Sequence, residues 1–66
     1  MKVKQFLNKF WNGTGTIELI ELYRGNQLLV TLDDDDISEK HFGGYQMDKI
    51  DYFMVAGTTL KIFLEH

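Results

Sequence analysis

Apolar side chains near the start of the chain recur at the spacing of one helix face. They stand at positions i, i+3, i+4, i+7 and i+8, and they are Val3, Phe6, Leu7, Phe10 and Trp11. Lysine, glutamine and asparagine fill the other positions, so the pattern predicts an amphipathic helix, which Asn12-Gly13 closes. Because a helix of about ten residues is marginal alone, its apolar stripe must pack on the rest of the protein.

Two strands joined by a Gly25-Asn26 turn are predicted to follow, beginning at about Thr16. A two-residue turn pairs Tyr23 with Leu28, and the pairing then runs back to Leu19 opposite Leu32. Apolar residues fall on both faces of this hairpin.

Glu21 is the one charged residue on the more apolar face of this hairpin. A bulge near Ile20 would shift the phase and remove the misfit. The alternative is a short helix over residues 17–23, but the flanking glycines and the short length favour a strand.

A short helical turn is predicted between this hairpin and the next. Asp36 with Glu39 three residues later resembles a capping box, in which the first residue accepts a backbone hydrogen bond. Gly43 would then close a turn over residues 37–42.

A second hairpin is predicted over residues 49–63. A turn at Gly57-Thr58 pairs Val55 with Leu60 and Phe53 with Ile62, and these four residues form one apolar face.

These elements predict an α+β fold, in which an N-terminal amphipathic helix packs on a small antiparallel sheet of two β-hairpins, with a short helical turn in the connecting segment. A chain of 66 residues allows one small domain, which we assign to residues 1–63. Leu64-Glu65-His66 resembles the remnant of an expression tag, so His66 receives no functional weight.

Composition narrows the function classes. The formal net charge of −3 disfavours general binding to duplex nucleic acid, which depends on phosphate contacts. The chain has no cysteine for a disulfide or a Cys-based zinc site, and no apolar run long enough for a membrane span. We therefore expect a soluble cytoplasmic protein without a cofactor.

Three stretches of the chain resemble a known group of proteins. They are MKVKQFL at the start, RGNQ at the first turn and IDYFMVAGTTLKIFL near the end. With these patterns the chain resembles small uncharacterised proteins of Gram-positive phages and conjugative elements. The resemblance implies a setting in a mobile element and supports the fold, and it implies no active site.

The run of aspartates at residues 33–36 is the conspicuous charged feature. A calcium loop of the EF-hand kind needs glycine at position six and glutamate at position twelve, and neither register of the run supplies them. We interpret the run as a solvated loop that caps the following helix, or as an acidic patch for a partner. That possible acidic patch consists of Asp33, Asp34, Asp35, Asp36 and Glu39.

Catalytic constellations are weak in this sequence. Ser38 and His41 could share one side of a helical turn, but no third orienting group or oxyanion site is visible. Gly13-Thr14-Gly15 is too short for a phosphate-binding loop. We therefore predict that the protein is not an enzyme.

Aromatic residues could form a stacking platform for single-stranded nucleic acid. The candidates are Tyr23, Phe42, Tyr45, Tyr52 and Phe63. Such a groove is normally basic, and the strand positions here offer as many carboxylates as cations, so nucleic acid is not the expected partner. We interpret the aromatic stripe of the first helix as core rather than as a membrane-binding face.

The surplus of apolar residues on both faces of the strands is the best indication of function. One helix covers only one face of a sheet, so the other face would be exposed unless the 33–48 segment closes a two-sided core. The expected interaction surface consists of Ile20, Leu22, Leu29, Tyr52, Met54 and Phe63.

Two function hypotheses follow. The first is a small non-enzymatic interaction module, an accessory protein of a mobile element, which binds a partner protein or a second copy of itself through a sheet face or a free strand edge. The alternative is an inhibitor or regulator whose acidic surface imitates nucleic acid or binds a basic partner.

Overall fold

The computed structural model describes residues 1–10, 17–33, 36 and 42–66. The predicted amphipathic helix is present as α1, Val3–Phe10. Trp11 and the Gly13-Thr14-Gly15 joint lie outside the described residues. No described helix has the length and apolar character needed to cross a membrane.

Four strands form one mixed sheet. They are β1 (Leu19–Arg24), β2 (Gln27–Asp33), β3 (Ile50–Ala56) and β4 (Thr59–Leu64), and they lie side by side in the order β2-β1-β4-β3. The fold is α+β as predicted, but the purely antiparallel sheet was wrong, because β1 and β4 pair in parallel at the centre. These two strands supply the most buried side chains, which accounts for their central position.

The first hairpin pairs in the predicted register only next to its turn. Tyr23 lies opposite Leu28 as expected, but Leu22 lies opposite Val30, so Leu29 is an extra residue in β2. This bulge lies between Leu22 and Tyr23 rather than near Ile20 as predicted. As expected of a bulge, it shifts the pairing by one residue, so that the part of β1 from Leu19 to Leu22 pairs one residue further along β2.

The extra residue in β2 puts Val30 and Leu32 opposite Leu22 and Ile20 on the helix side of the sheet, where Ile20 and Leu22 are fully buried. Glu21 then lies on the opposite, open face with Tyr23, so it is no longer a misfit. The reading of residues 17–23 as a short helix does not hold, since β1 spans most of that segment.

The second hairpin has the predicted register from Tyr52 to Ala56, and the register shifts at Asp51, so that Ile50 lies opposite Leu64. Val55 lies opposite Leu60 and Phe53 opposite Ile62, so all four share the helix side of the sheet. Leu60 and Ile62 are fully buried, whereas Phe53 and Val55 are about half exposed. The difference arises because β4 is central and β3 is an edge strand.

The start of the chain is tied to the loop that precedes β3. The first N–H groups of α1, from Val3 and Lys4, donate to the carbonyl oxygens of Asp48 and Gln46 at 2.9 and 3.0 Å. These bonds satisfy donors that a helix N-terminus leaves without an intrahelical partner. They also fix α1 against the sheet.

The core is a single cluster on the helix side of the sheet. Val3 and Leu7 of α1 meet side chains of β1, β2 and β4, together with Ile17 and Phe42. Gly43 has φ +65°, and a Cβ there would lie 3.1 Å from Val30 Cγ2, so glycine is needed where this loop passes β2.

Leu64 belongs to this core. It is 2% exposed and is the last residue of β4, and the domain boundary at Phe63 stays a prediction. The interpretation of residues 64–66 as a tag remnant stays a prediction.

Candidate interaction edge of the sheet

The edge strand β3 carries four consecutive apolar side chains that are about half exposed. Tyr52, Phe53, Met54 and Val55 are 51%, 48%, 48% and 53% exposed. Because successive residues of a strand point to opposite faces, this exposure occurs on both sides of the sheet. Edge strands of natural proteins usually carry a charge or a proline that blocks pairing with another chain, and residues 52–56 carry neither.

The other edge strand differs in composition. Leu28 of β2 is 47% exposed, but Gln27, Thr31 and Asp33 are its exposed neighbours along the same strand. Polar and charged side chains of this kind discourage pairing with another strand. The two edges of the sheet are therefore not equivalent, and β3 is the apolar one.

The backbone of β3 presents hydrogen-bonding groups along its outer side. Ala56 lies opposite Thr59 across the Gly57-Thr58 turn. The residues that flank a two-residue turn are hydrogen-bonded, and bonded and non-bonded positions alternate along an antiparallel pair. Tyr52 and Met54 therefore direct their N–H and C=O groups toward β4, whereas Phe53 and Val55 direct theirs away from the sheet.

The start of the chain covers one end of this outer side. The N–H of Ile50 donates to the carbonyl oxygen of Met1 at 2.9 Å, and Lys2 forms an antiparallel bridge with Lys49. Beyond Ile50, no described residue pairs with the outer side of β3. Within the part of the chain that the structure describes, the free edge thus runs from Asp51 to Ala56.

An open apolar cleft adjoins the free edge on the helix side. Its volume is about 520 Å³, and it is lined by Met1, Phe6, Ile50, Asp51, Tyr52 and Phe53. The Phe6 ring of α1 contacts the Phe53 ring, with centroids 4.9 Å apart. The cleft gives an incoming side chain apolar surface to bury beside the strand edge.

Three aromatic rings stand in a row across the open face of the sheet. Phe63 stacks on Tyr23 at 5.0 Å with 17° between the ring planes, and on Tyr52 at 4.5 Å with 9°. Nearly parallel rings at these distances cover each other, so Phe63 has both faces covered and each tyrosine has one. Bases stack on free ring faces, and this row offers few of them.

The other members of the predicted aromatic platform lie elsewhere. Phe42 is buried in the core, and Tyr45 packs against the same cluster. One cation lies beside the row of rings, since Lys61 Nζ is 6.0 Å from the centroid of the Tyr23 ring. A platform of five exposed rings is therefore not formed.

Tyr23 is held by a hydrogen bond on this open face. Its hydroxyl donates to Glu21 Oε1 at 2.9 Å. This bond raises the pKa of the Tyr23 phenol above its ordinary value, and desolvation and the charge of Glu21 act in the same direction. The bond anchors the first ring of the row and gives Glu21 a structural role.

Asp33 and Asp36, the described members of the acidic run, are hydrogen-bonded to each other. The N–H of Asp36 donates to Asp33 Oδ1 at 2.9 Å, and the N–H of Asp33 donates to Asp36 Oδ2 at 3.1 Å. These reciprocal bonds are those of a capping box with Asp33 as the first residue. The predicted box of Asp36 with Glu39 stays a prediction, because Glu39, like Asp34 and Asp35, lies outside the described residues.

The described part of the chain has few groups that could form a metal site or a catalytic site. It contains no group of three His, Asp or Glu side chains that could hold a metal ion. Ser38 and His41 lie outside the described residues. The ion pair of Arg24 with Asp48, 2.8 Å between Nη2 and Oδ1, joins the end of β1 to the loop before β3 and is structural.

The structure divides the expected interaction surface. Tyr52 and Met54 lie on the exposed edge strand, and Phe63 stands beside Tyr52 in the aromatic row. Leu29 is partly buried at the bulge. The placement of Ile20 and Leu22 on an exposed surface was wrong, because both lie in the central strand β1 and are fully buried.

Phe53 and Val55 were missed as site residues. The sequence placed both on one apolar face with Leu60 and Ile62, which the register confirms, and did not include them in the expected interaction surface. The signal that could have found them is the uninterrupted apolar run at residues 52–55, because a strand that is apolar on both faces is either fully buried or available to a partner.

No family model, curated protein sequence or solved structure matches this chain. The resemblance to proteins of phages and conjugative elements therefore stays a prediction.

Proposed function

We propose that the protein is a small non-enzymatic interaction module whose working element is the outer edge of β3. An extended strand of a partner adds to this edge, as in other proteins that bind by extending a sheet. Backbone hydrogen bonds from Phe53 and Val55 provide the pairing, and the flanking side chains provide apolar burial. The role as an accessory protein of a mobile element belongs to the same proposal and rests on the sequence resemblance.

One observation carries the proposal. The four half-exposed apolar residues of β3 flank backbone groups that point away from the sheet, and no charge or proline interrupts residues 52–56. An edge of this composition is an aggregation hazard unless a partner covers it. The simplest account of its presence is that pairing at this edge is the function.

The acidic-surface alternative gains nothing from the described residues. The carboxylates of Asp33 and Asp36 accept hydrogen bonds from each other's backbone, which is the behaviour of a local cap.

A matched pair of edge substitutions tests the proposed function. Val55→Lys places a charge on the free edge of β3, and Leu28→Lys places the same charge at a comparably exposed position on β2. We expect an immobilised wild-type chain to retain its partner from a lysate of the source cells, the Leu28→Lys variant to retain it equally, and the Val55→Lys variant to lose at least tenfold. Mass spectrometry of the retained proteins measures this.

Equal retention by both variants would place the docking surface elsewhere and contradict the proposal. Circular dichroism of each variant must first show the wild-type spectrum, so that loss of binding is not loss of folding.

A further inference from the structure

The free edge of β3 is self-complementary, and we infer that its partner is a second copy of this chain, added antiparallel to β3 about a two-fold axis. The inference rests on the proposed function of the edge and names the partner. It makes one continuous sheet of two four-stranded halves.

Symmetry restricts the register. A two-fold axis perpendicular to the sheet joins like faces of the two copies, so each residue must lie opposite a residue from the same face. Phe53 and Val55 share the helix side of the sheet with Ile62 and Leu60. Tyr52 and Met54 share the open side with Phe63 and Lys61.

The N-terminal segment selects one of the remaining registers. Met1 accepts the N–H of Ile50, so a partner strand that reached Ile50 would collide with it. The longest pairing that avoids Met1 sets Tyr52 opposite the partner's Ala56. It follows that Phe53 lies opposite the partner's Val55, and Met54 opposite the partner's Met54.

In this register the N–H and C=O groups that point away from the sheet find hydrogen-bond partners in the second copy. Phe53 and Val55 are the positions that point away from β4, and they now lie opposite each other across the axis. A hydrogen-bonded pair in an antiparallel ladder exchanges two N–H···O bonds, so the two symmetry-related pairs form about four. The same register leaves Met54 in a non-bonded pair, where side chains are closest.

The side chains match as well as the backbone. On the helix side, Phe53 meets the partner's Val55 twice, and pairs of an aromatic with a β-branched residue are favourable across strands. On the open side, Met54 meets its own copy, and no charged residue lies within residues 52–56. Asp51 falls beyond the paired stretch, so the two copies bring no like charges together.

The area agrees with a weak, reversible dimer. A half-exposed side chain of this size leaves on the order of 100 Å² to bury, so four per copy approach 800 Å² in total. The backbone of the paired strands brings the sum toward the roughly 1,000 Å² at which specific association begins. A larger partner is not needed to cover the edge.

Disulfide trapping tests the dimer and its register together, since the chain has no native cysteine. Met54→Cys places two thiols in a non-bonded pair, with Cα atoms about 4.5 Å apart, a separation that a disulfide spans. We expect this variant to form a covalent dimer in a glutathione redox buffer at least tenfold faster than Leu28→Cys, the matched position on the other edge. Phe53→Cys, which has no copy of itself opposite, should be as slow as Leu28→Cys.

Sedimentation velocity of the wild type, from low micromolar to near-millimolar concentration, provides the second measurement. The dimer inference requires a concentration-dependent dimer that Val55→Lys abolishes and Leu28→Lys preserves. Equal cross-linking of Met54→Cys and Leu28→Cys, or faster cross-linking of Phe53→Cys, would overturn the register.

The outcomes separate this inference from the proposed function. A wild-type chain that stays monomeric at the highest concentration, while Val55→Lys still loses a different captured protein, overturns the dimer and leaves the docking edge standing. A chain that stays monomeric and retains the same proteins in both lysine variants overturns both.

Discussion

Ile62→Ala is expected to lower the free energy of unfolding by about 2–5 kcal/mol. Ile62 is fully buried in the central strand β4, and removing a buried isoleucine side chain beyond Cβ costs about 2–5 kcal/mol. At roughly 0.05–0.15 kcal/mol per residue, a chain of this length has a total stability of about 3–10 kcal/mol. The substitution therefore removes a large part of the free energy of unfolding.

Val55→Ala is the matched control for this prediction. Val55 shares the helix side of the sheet with Ile62 but lies on the edge strand and is about half exposed. We expect its truncation to cost less than about 1 kcal/mol in a dilute, monomeric sample. Urea denaturation followed by circular dichroism measures both, and equal losses for the two variants would contradict the assignment of β4 to the centre and β3 to the edge.

Proline is expected to disrupt folding at one position of β3 and to be tolerated at the next. Met54→Pro removes an N–H that points toward β4 and leaves a carbonyl of that strand without its donor, at a cost of roughly 3 kcal/mol. Val55→Pro removes an N–H that points away from the sheet, and proline is tolerated at such positions of edge strands. We expect Met54→Pro to be strongly destabilised, with a urea midpoint far below that of the wild type, and Val55→Pro to keep the wild-type circular dichroism spectrum.

The same pair distinguishes folding from docking. Val55→Pro takes one of the backbone donors from the free edge, so it should fold and fail to dimerise. If Met54→Pro were the stable variant and Val55→Pro the unfolded one, the backbone of β3 would have the opposite orientation, and the docking surface would have to be reassigned.

Local features of this fold could be predicted from the sequence because they depend on neighbours in the chain. The glycine turns at Gly25 and Gly57 set the two hairpins, and the spacing of Val3 and Leu7 set the face of α1. The register of the second hairpin follows from a two-residue turn. Each of these depends on a few adjacent residues.

The order of the strands could not be predicted in the same way. The parallel pairing of β1 with β4 joins Leu19 to Thr59, forty positions apart, and no turn between them restricts it. The bulge at Leu22 and Tyr23 was misplaced because several positions would have restored an apolar face equally well.

The unpredicted strand order and the misplaced bulge explain why the sequence identified the candidate site only in part. Strand periodicity identifies which residues share a face, but it does not identify which strand ends the sheet. Ile20 and Phe53 both stood on apolar faces, and only the strand order made the first a core residue and the second an edge residue. The apolar run of residues 52–55 was visible in the sequence, but the sequence did not show that these residues lie at the exposed edge of the sheet.

Amide hydrogen exchange along β3 tests the account most directly. In a dilute, monomeric sample, we expect the N–H groups of Phe53 and Val55 to exchange rapidly and those of Tyr52 and Met54 to be protected by their bonds to β4. At high protein concentration, Phe53 and Val55 should become protected as the partner strand adds. Equal protection of all four amides in the dilute sample would show that the outer edge is already covered, and would contradict its role as the docking surface.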